Sequence, residues 1–307
     1  METLISGLSD GAIYGLIAMG MSITFYVTRV INFAHGQLLM VAVMTIAEGT
    51  LAHWPLGASI LLAFVASAVI AVLTYLIAIR PVLRRNRFNI IWVASTLGIS
   101  IVLENGAAYF FGSDTVQFPV LLQNDTVKIG GVTISWQQIL AFFLALAIGA
   151  AFELMRKNTT LGKVGMAVAF DPDMASAIGA NTSTLAIGAF ALSGVLCAVA
   201  GVLLGPSSFA NPYMGDTYAI YGFIAFIVSK TTYPLSALYA GIVLGVVAEE
   251  ANALINANAA SWFPFVVVLL LLVARPSWIL VEGQGARRPA RRRRPGRLAG
   301  TGAVHGG

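Results

Sequence analysis

Apolar stretches separated by short polar segments repeat along most of the chain. A transmembrane helix needs about 20 residues to cross a hydrocarbon layer of about 30 Å. The stretches that reach or approach this length are residues 4–27, 36–52, 58–79, 90–111, 136–155, 184–206 and 261–280. Residues 218–250 are too long for one crossing and contain Lys230 and Pro234, so we predict two short segments there. Because helices satisfy their own backbone hydrogen bonds in lipid, the pattern predicts an all-α fold, a polytopic transmembrane helical bundle with about 8 to 10 crossings.

Basic residues between the apolar stretches predict which loops face the cytoplasm. Lysines and arginines in short loops tend to stay on that side of the membrane. They follow the first, third and fifth stretches, at Arg29, residues 80–87 and residues 156–163. Residues 156–182 are therefore predicted to form a cytoplasmic loop. Residues 112–135 form an outside loop, in which β-branched runs on either side of two glycines favour a small hairpin.

Composition agrees with a membrane protein and explains the positive net charge. The chain is 58% hydrophobic and only 10% charged, whereas a soluble domain carries about 25% charged residues. Seven of the 18 lysines and arginines lie in residues 286–300, and the other 11 face 13 acidic residues. We therefore divide the chain into a transmembrane domain, residues 1–282, and a disordered basic cytoplasmic tail, residues 283–307. The tail is suited to anionic lipid and to setting topology, with binding of RNA or a partner as the alternative.

The sequence contains none of the motifs that carry common enzyme chemistry. Zinc-binding HExxH, the GxSxG nucleophile turn and the GxxxxGK[ST] phosphate loop are all missing from it. The single cysteine, Cys197, cannot form a thiolate metal site alone. We therefore predict no catalytic residues, no metal and no bound cofactor. A protein of this kind that used ATP would need a separate chain to hydrolyse it.

Polar residues interrupt the apolar pattern at one place in particular, the stretch RVINFAHGQLLM at residues 29–40. Irregular backbone at membrane depth must be buried in protein or face water. Asn32, His35, Gly36 and Gln37 are therefore predicted to form a helix junction. One hypothesis is that they satisfy backbone groups at a tight break, and the other is that they belong to a gate or translocation path. Glu104 joins them as a gate candidate, because an acid within a span is seldom without a role.

The cytoplasmic loop carries the signals of a short helix. Asp171 can cap a helix whose first residue is Pro172, and Gly179 can end it. Met174, Ala175 and Ile178 would then form a short apolar face. This face could dock into a groove on a partner or lie against the bundle of its own chain.

Four stretches of the chain together resemble the permease subunits of bacterial ABC importers of the branched-chain amino acid family. They are GLSDGAIYGLIAMGMSITFYVTRVINFAHGQLLM, IRPVLRRNRFNIIWVASTLGISIVLENGAAYFFGSD, TTLGKVGMAVAFDPDMASAIGANTSTLAIGAFALSGVLCAVAGVLLG and LLLVARPSWI. The resemblance implies a multi-pass permease of the bacterial inner membrane. It also implies a sister permease in a hetero- or homodimer, two ATP-binding subunits that hydrolyse ATP, an extracytoplasmic substrate-binding protein and no nucleic acid.

Within this resemblance, the loop at residues 156–182 looks like the segment that couples the permease to the ATPase. The positions that would carry this role are Gly162, Met166, Asp171, Pro172, Met174, Ala175, Ile178 and Gly179.

The chain departs from the usual pattern of this family at several positions. Family members usually have an acid at Gln37, a glutamine at Glu104, an arginine at Met166 and a glycine-rich turn at residues 227–237. We expect the change at residues 227–237 to affect the substrate and the ATPase partner more than the fold. A urea or amide permease of the same family and an ATP-independent secondary carrier remain the alternative functions.

Overall fold

A computed structural model of the protein describes most of the chain up to the last apolar stretch. The described residues are 2–85, 91–119, 126–129, 132–229 and 233–255, with positions 262, 265–267, 269–270 and 273. The predicted crossing at residues 261–280 lies mostly outside this part. Lys230 and the basic tail at residues 283–307 lie entirely outside it.

Helices make up nearly all of the described structure, as the apolar pattern predicts. Their bounds are α1 Glu2–Thr28, α2 His35–Leu51, α3 Leu56–Thr74, α4 Arg80–Arg85, α5 Ile91–Phe111, α6 Trp136–Asn158, α7 Thr160–Phe170, α8 Pro172–Ala177, α9 Thr182–Leu204, α10 Met214–Val228 and α11 Pro234–Leu254. A π-helical turn, Tyr75–Ile79, joins α3 to α4 without a break. The predicted all-α class is confirmed.

Six helices among the described residues are long and apolar enough to cross a membrane. They are α1, α3 with its continuation to Arg84, α5, α6, α9 and α11. Helices α2 and α10 are shorter, with 17 and 15 residues. The predicted split of residues 218–250 is confirmed, since α10 ends at Val228 and α11 begins at Pro234. Proline suits the first turn of a helix, where its missing N–H has no intrahelical partner to lose.

Short strands lie outside the helices. The predicted hairpin is present, with β2 (Thr126–Ile129) antiparallel to β3 (Val132–Ser135). A second small pairing joins β1 (Val116–Gln117) to β4 (Phe209–Ala210), which lies between α9 and α10. This pairing was not evident from the sequence, because its two strands are about 90 residues apart and only two residues long.

Helix α1 is central to the bundle and packs closely against α11. A methyl group added at Gly11 would lie 2.7 Å from the Cα atom of Ile242, which is closer than real contacts allow. Gly241 and Gly245 of α11 face the backbone of α1 in the same way. Helices in lipid gain little from hydrophobic burial, so small residues that let backbones approach supply much of the packing.

Helix α2 begins inside the bundle rather than at the membrane surface. A methyl group added at Gly20 of α1 would lie 2.7 Å from Nε2 of His35, the first residue of α2. Gly20 lies eight residues before the end of α1, which is about 12 Å along a helix axis. Residues 29–34 therefore lead the chain back from the end of α1 to a point well within the bundle.

Candidate functional site

His35 and Asn32 form a buried junction between α1, α2 and α9. The side chains of both residues are fully buried. Oδ1 of Asn32 accepts a hydrogen bond from the N–H of Ala34 at 3.0 Å, which closes the turn before α2. Nδ1 of His35 lies 3.3 Å from Oγ of Ser193 in α9, while its other ring nitrogen lies against Gly20. Asn32 thus closes a tight turn, and both hypotheses for these two residues, the structural one and the gate, stay predictions.

Arg29, which directly follows α1, reaches the loop that follows α6. Its backbone has φ +58°, a left-handed conformation that is uncommon outside glycine. The guanidinium donates a hydrogen bond to the carbonyl oxygen of Ala169 in α7 and lies 5.9 Å from the ring centre of Phe25. Arg29 therefore links the end of α1 to α7. The sequence marked Arg29 only as a topology signal, because its partner is 140 residues away.

Gly36 allows the first turns of α2 and α10 to meet. A side chain at Gly36 would collide with the carbonyl oxygen of Gly215 and with Ala219. The two glycines face each other, and a side chain at Gly215 would collide with the amide of Gln37. This close approach brings the polar residue after each glycine, Gln37 and Asp216, to the same place.

A group of four polar side chains, which we call the mid-span cluster, consists of Gln37, Ser100, Glu104 and Asp216. Nε2 of Gln37 lies 2.8 Å from Oδ1 of Asp216 and 3.3 Å from Oγ of Ser100. The carboxyl group of Glu104 lies close to that of Asp216. Ser100 lies at the middle of α5, so the cluster is near the centre of the membrane-spanning layer.

The mid-span cluster unites two predicted positions and adds two that the sequence did not reveal. Gln37 and Glu104 are 67 positions apart in sequence, and Asp216 connects them. Asp216 could have been noticed as an acid two residues before the apolar stretch at 218–250. Ser100 carries no sequence signal, because a serine in an apolar helix is usually a packing residue.

The short helix predicted in the loop at residues 156–182 is present. Oδ1 of Asp171 accepts hydrogen bonds from the N–H groups of Asp173 and Met174, at 3.0 and 2.9 Å. Pro172 is the first residue of α8, and Gly179, with φ +94°, follows its last turn. The loop also contains α7, whose start is capped by the side chain of Thr159 and which was not predicted.

The predicted apolar face of α8 is divided between the bundle and the surface. Ala175 is only 2% exposed, whereas Met174 is 70% and Ile178 is 83% exposed. Ala175 packs against the rest of the protein, which agrees with the alternative of a helix lying against its own bundle, while Met174 and Ile178 stay exposed. Phe170, at the end of α7, is 92% exposed. With Met174 and Ile178 it borders an apolar groove of about 560 Å³ on this side of the molecule.

Arg156, at the end of α6, makes several contacts at the start of the loop at residues 156–182. Its guanidinium forms two hydrogen bonds with the carboxylate of Glu153, at 2.6 and 2.8 Å. It also contacts Sδ of Met166 at 3.1 Å and lies 5.6 Å from the ring centre of Tyr233, just before α11. Gly162 of α7 packs directly on the backbone of Arg156. Met166, which stands where family members usually have an arginine, thus packs against Arg156.

Comparison with known proteins agrees with this architecture. Residues 3–274 match the family described as branched-chain amino acid transport system / permease component. The chain belongs to this permease family. The permease is a transport subunit that spans the membrane several times, and the predicted family membership is confirmed.

Relatives of the permease are found in bacteria and archaea. It is 30% identical to the high-affinity branched-chain amino acid transport system permease protein BraD of Pseudomonas aeruginosa, over 91% of this chain and 95% of BraD. It is 28% identical to LivH of Escherichia coli K12 over the same shares. The probable permease LivH of Methanocaldococcus jannaschii is 28% identical over 75% of this chain and 74% of its own. Among solved structures, PsaBC from Streptococcus pneumoniae in complex with Fab gives a TM-score of 0.47 at 12% identity, covering 92% of this chain and 94% of that chain.

Proposed function

We propose that the permease is the membrane subunit of an ABC importer that moves branched-chain or related amino acids into a bacterial cell. The observation that carries this proposal is the family match over residues 3–274, together with relatives named for branched-chain amino acid transport. In this assembly a sister permease completes the membrane part, in a hetero- or homodimer. An extracytoplasmic binding protein supplies the amino acid, and the complex resides in the inner membrane.

ATP is hydrolysed by two separate subunits, because the sequence has no phosphate loop of its own. The exposed side chains of Phe170, Met174 and Ile178 form the surface on which we expect an ATP-binding subunit to dock. An apolar patch of this kind on a charged cytoplasmic face is typical of a protein interface. The role of the coupling residues Gly162, Met166, Asp171, Pro172, Met174, Ala175, Ile178 and Gly179 is part of this proposal.

Movement of the docked loop would reach the membrane part through two arginines. Arg29 bonds the end of α7 to the junction before α2, and Arg156 bonds α7 to α6. A displacement of α7 would therefore be transmitted to α2, which carries His35 and Gln37. Such a transmission requires two arrangements of the bundle, one biased by ATP in the partner subunits.

Uptake by the reconstituted importer tests the proposal. The permease is placed in liposomes with its sister permease, its ATP-binding subunits and its binding protein, and leucine uptake and ATP hydrolysis are measured. We expect both to depend on leucine-loaded binding protein. An intact complex that responds to urea or short amides instead would favour the alternative permease function. Uptake by the permease alone on a proton gradient would favour a secondary carrier.

A further inference from the structure

The mid-span cluster contains hydrogen-bond acceptors for a cation but no basic side chain. Its acceptors are the carboxyl groups of Glu104 and Asp216 and the carbonyl oxygen of Gln37. In the part of the chain that the structure describes, neither carboxyl forms an ion pair with lysine, arginine or histidine. Acidic groups at this depth are costly unless they are paired. The cluster therefore lacks a positive partner.

The side chain of Gln37 supplies an independent observation at the cluster. It is only 1% exposed, and its oxygen, Oε1, accepts no hydrogen bond from the residues that the structure describes. Its nitrogen donates to both Asp216 and Ser100, so the orientation of the amide is determined by two neighbours. A buried acceptor without a donor costs free energy, which a bound donor would recover.

The two carboxyl groups lie close together, and among the described residues no positive charge lies between them. Negative charges held this close repel each other, and a bound cation relieves that repulsion. A group with a positive charge and several N–H donors can satisfy both carboxyl groups at once.

The cluster is accessible along one side of α5. Gln37 and Ser100 lie at its buried end, while Glu104 is partly exposed. The outward side of α5 near this point is not covered by the described part of the chain, since Leu97 is 44% and Ile101 is 61% exposed. On this side Glu104 is open toward lipid or toward the proposed sister permease.

We propose that the mid-span cluster binds the ammonium group of the transported amino acid. Three N–H donors of an ammonium group correspond to the three acceptors, the carboxyl groups of Glu104 and Asp216 and Oε1 of Gln37. The identity of the ligand as an amino acid rests on the proposed function. The presence of a cation-accepting site rests only on the cluster itself.

Fragments of leucine separate the ammonium group from the carboxylate and provide the test. The permease is purified with the partner chains with which it assembles, but without the binding protein, which could itself bind the probes. Binding of 3-methylbutylamine and of 4-methylpentanoate is measured by calorimetry. We expect the amine to bind and the acid not to bind. Failure of the amine to bind, or equal binding of the two fragments, would overturn the proposal.

Variants locate the binding in the cluster. We expect Glu104→Gln and Asp216→Asn each to weaken amine binding by about 10- to 100-fold, because each removes a charged acceptor. Glu48→Gln, the same substitution on a partly exposed residue of α2 outside the cluster, is the matched control and should leave binding unchanged. Unchanged binding in the single variants, with folding verified by thermal melting, would contradict the assignment.

The uptake assay distinguishes this inference from the proposed function. Leucine uptake by the wild-type importer without any amine binding would overturn the inference and leave the proposed function in place. Amine binding that Glu104→Gln abolishes would support the cation site even if the importer does not transport leucine. In that case the proposed amino acid substrate would be wrong and the site would remain.

Discussion

Individual residues at the α1–α2 junction make close contacts with two other helices. His35 is fully buried and contacts Ser193 of α9, and it leaves space only for a glycine at position 20 of α1. These contacts join three helices at one point. We therefore expect His35 to contribute to the stability of the bundle.

Replacing His35 by asparagine is expected to lower stability. The shorter side chain cannot maintain the contact with Ser193 and leaves a void, which should cost about 1 to 3 kcal/mol. The measurement is the thermal melting of the purified protein followed by size-exclusion chromatography. His53→Asn, the same change at an exposed residue, is the control. A His35→Asn protein that melts like the wild type but loses uptake would favour the gate hypothesis instead.

Gly36 is expected to tolerate no side chain. Alanine at this position would collide with the carbonyl oxygen of Gly215, so α2 and α10 would have to separate, at a cost of about 1 to 3 kcal/mol. Gly98→Ala on α5, where an added methyl group has no neighbour within 4 Å, should be neutral or slightly stabilising. Equal melting of the two variants would show that the glycine contact is unimportant.

The loop at residues 156–182 contains two helices, of which α7 is held by contacts to the rest of the protein and α8 is partly exposed. The base of α7 is held by Arg156 and its end by Arg29. Met174 of α8 and Ile178, which follows it, are exposed at the protein surface, whereas Ala175 packs against the rest of the protein. A surface that is apolar and rigidly supported is suited to a partner, because little flexibility is lost on binding.

Polar substitutions on α8 are therefore expected to affect assembly rather than folding. Changing Met174 and Ile178 together to serine should weaken binding of the ATP-binding subunits by about tenfold or more, because two apolar anchors are lost. Leu254→Ser, at an equally exposed residue near the end of α11, serves as the control. Co-purification with the ATP-binding subunits measures the effect. A double variant that assembles normally would exclude this face as the docking surface.

At the scale of the whole molecule, the arrangement of helices predicts which segments lie on each side of the membrane. Cys197 is free and buried, so Cys197→Ala provides a background without a reactive thiol. A cysteine at Ser176 in α8 should react with an impermeant reagent only from the cytoplasmic side. A cysteine at His53, between α2 and α3, should react only from the outside. Labelling of both from one side would require a different number of crossings between them.

Much of the fold could be predicted from the sequence because lipid imposes strong local constraints. The length of the apolar stretches alone predicts helices α1, α3, α5, α6 and α9. Pro234 lies where α11 begins. The cap at Asp171 was equally predictable, since its hydrogen bonds reach only two and three residues along the chain. These features depend on neighbours in sequence, which the sequence displays directly.

The contacts that define the candidate site were decided only by the tertiary structure. In the sequence, Gln37 and Glu104 are two separate departures from a family pattern. In the structure, Asp216 and Ser100 lie between them. Arg29 looked like a topology signal until its bond to Ala169 placed it between α1 and α7. Each of these contacts joins helices distant in sequence. By itself the sequence determined the membrane fold and the permease family, because composition and local motifs carry both. The packing of α2, α5 and α10 determined where the polar groups meet.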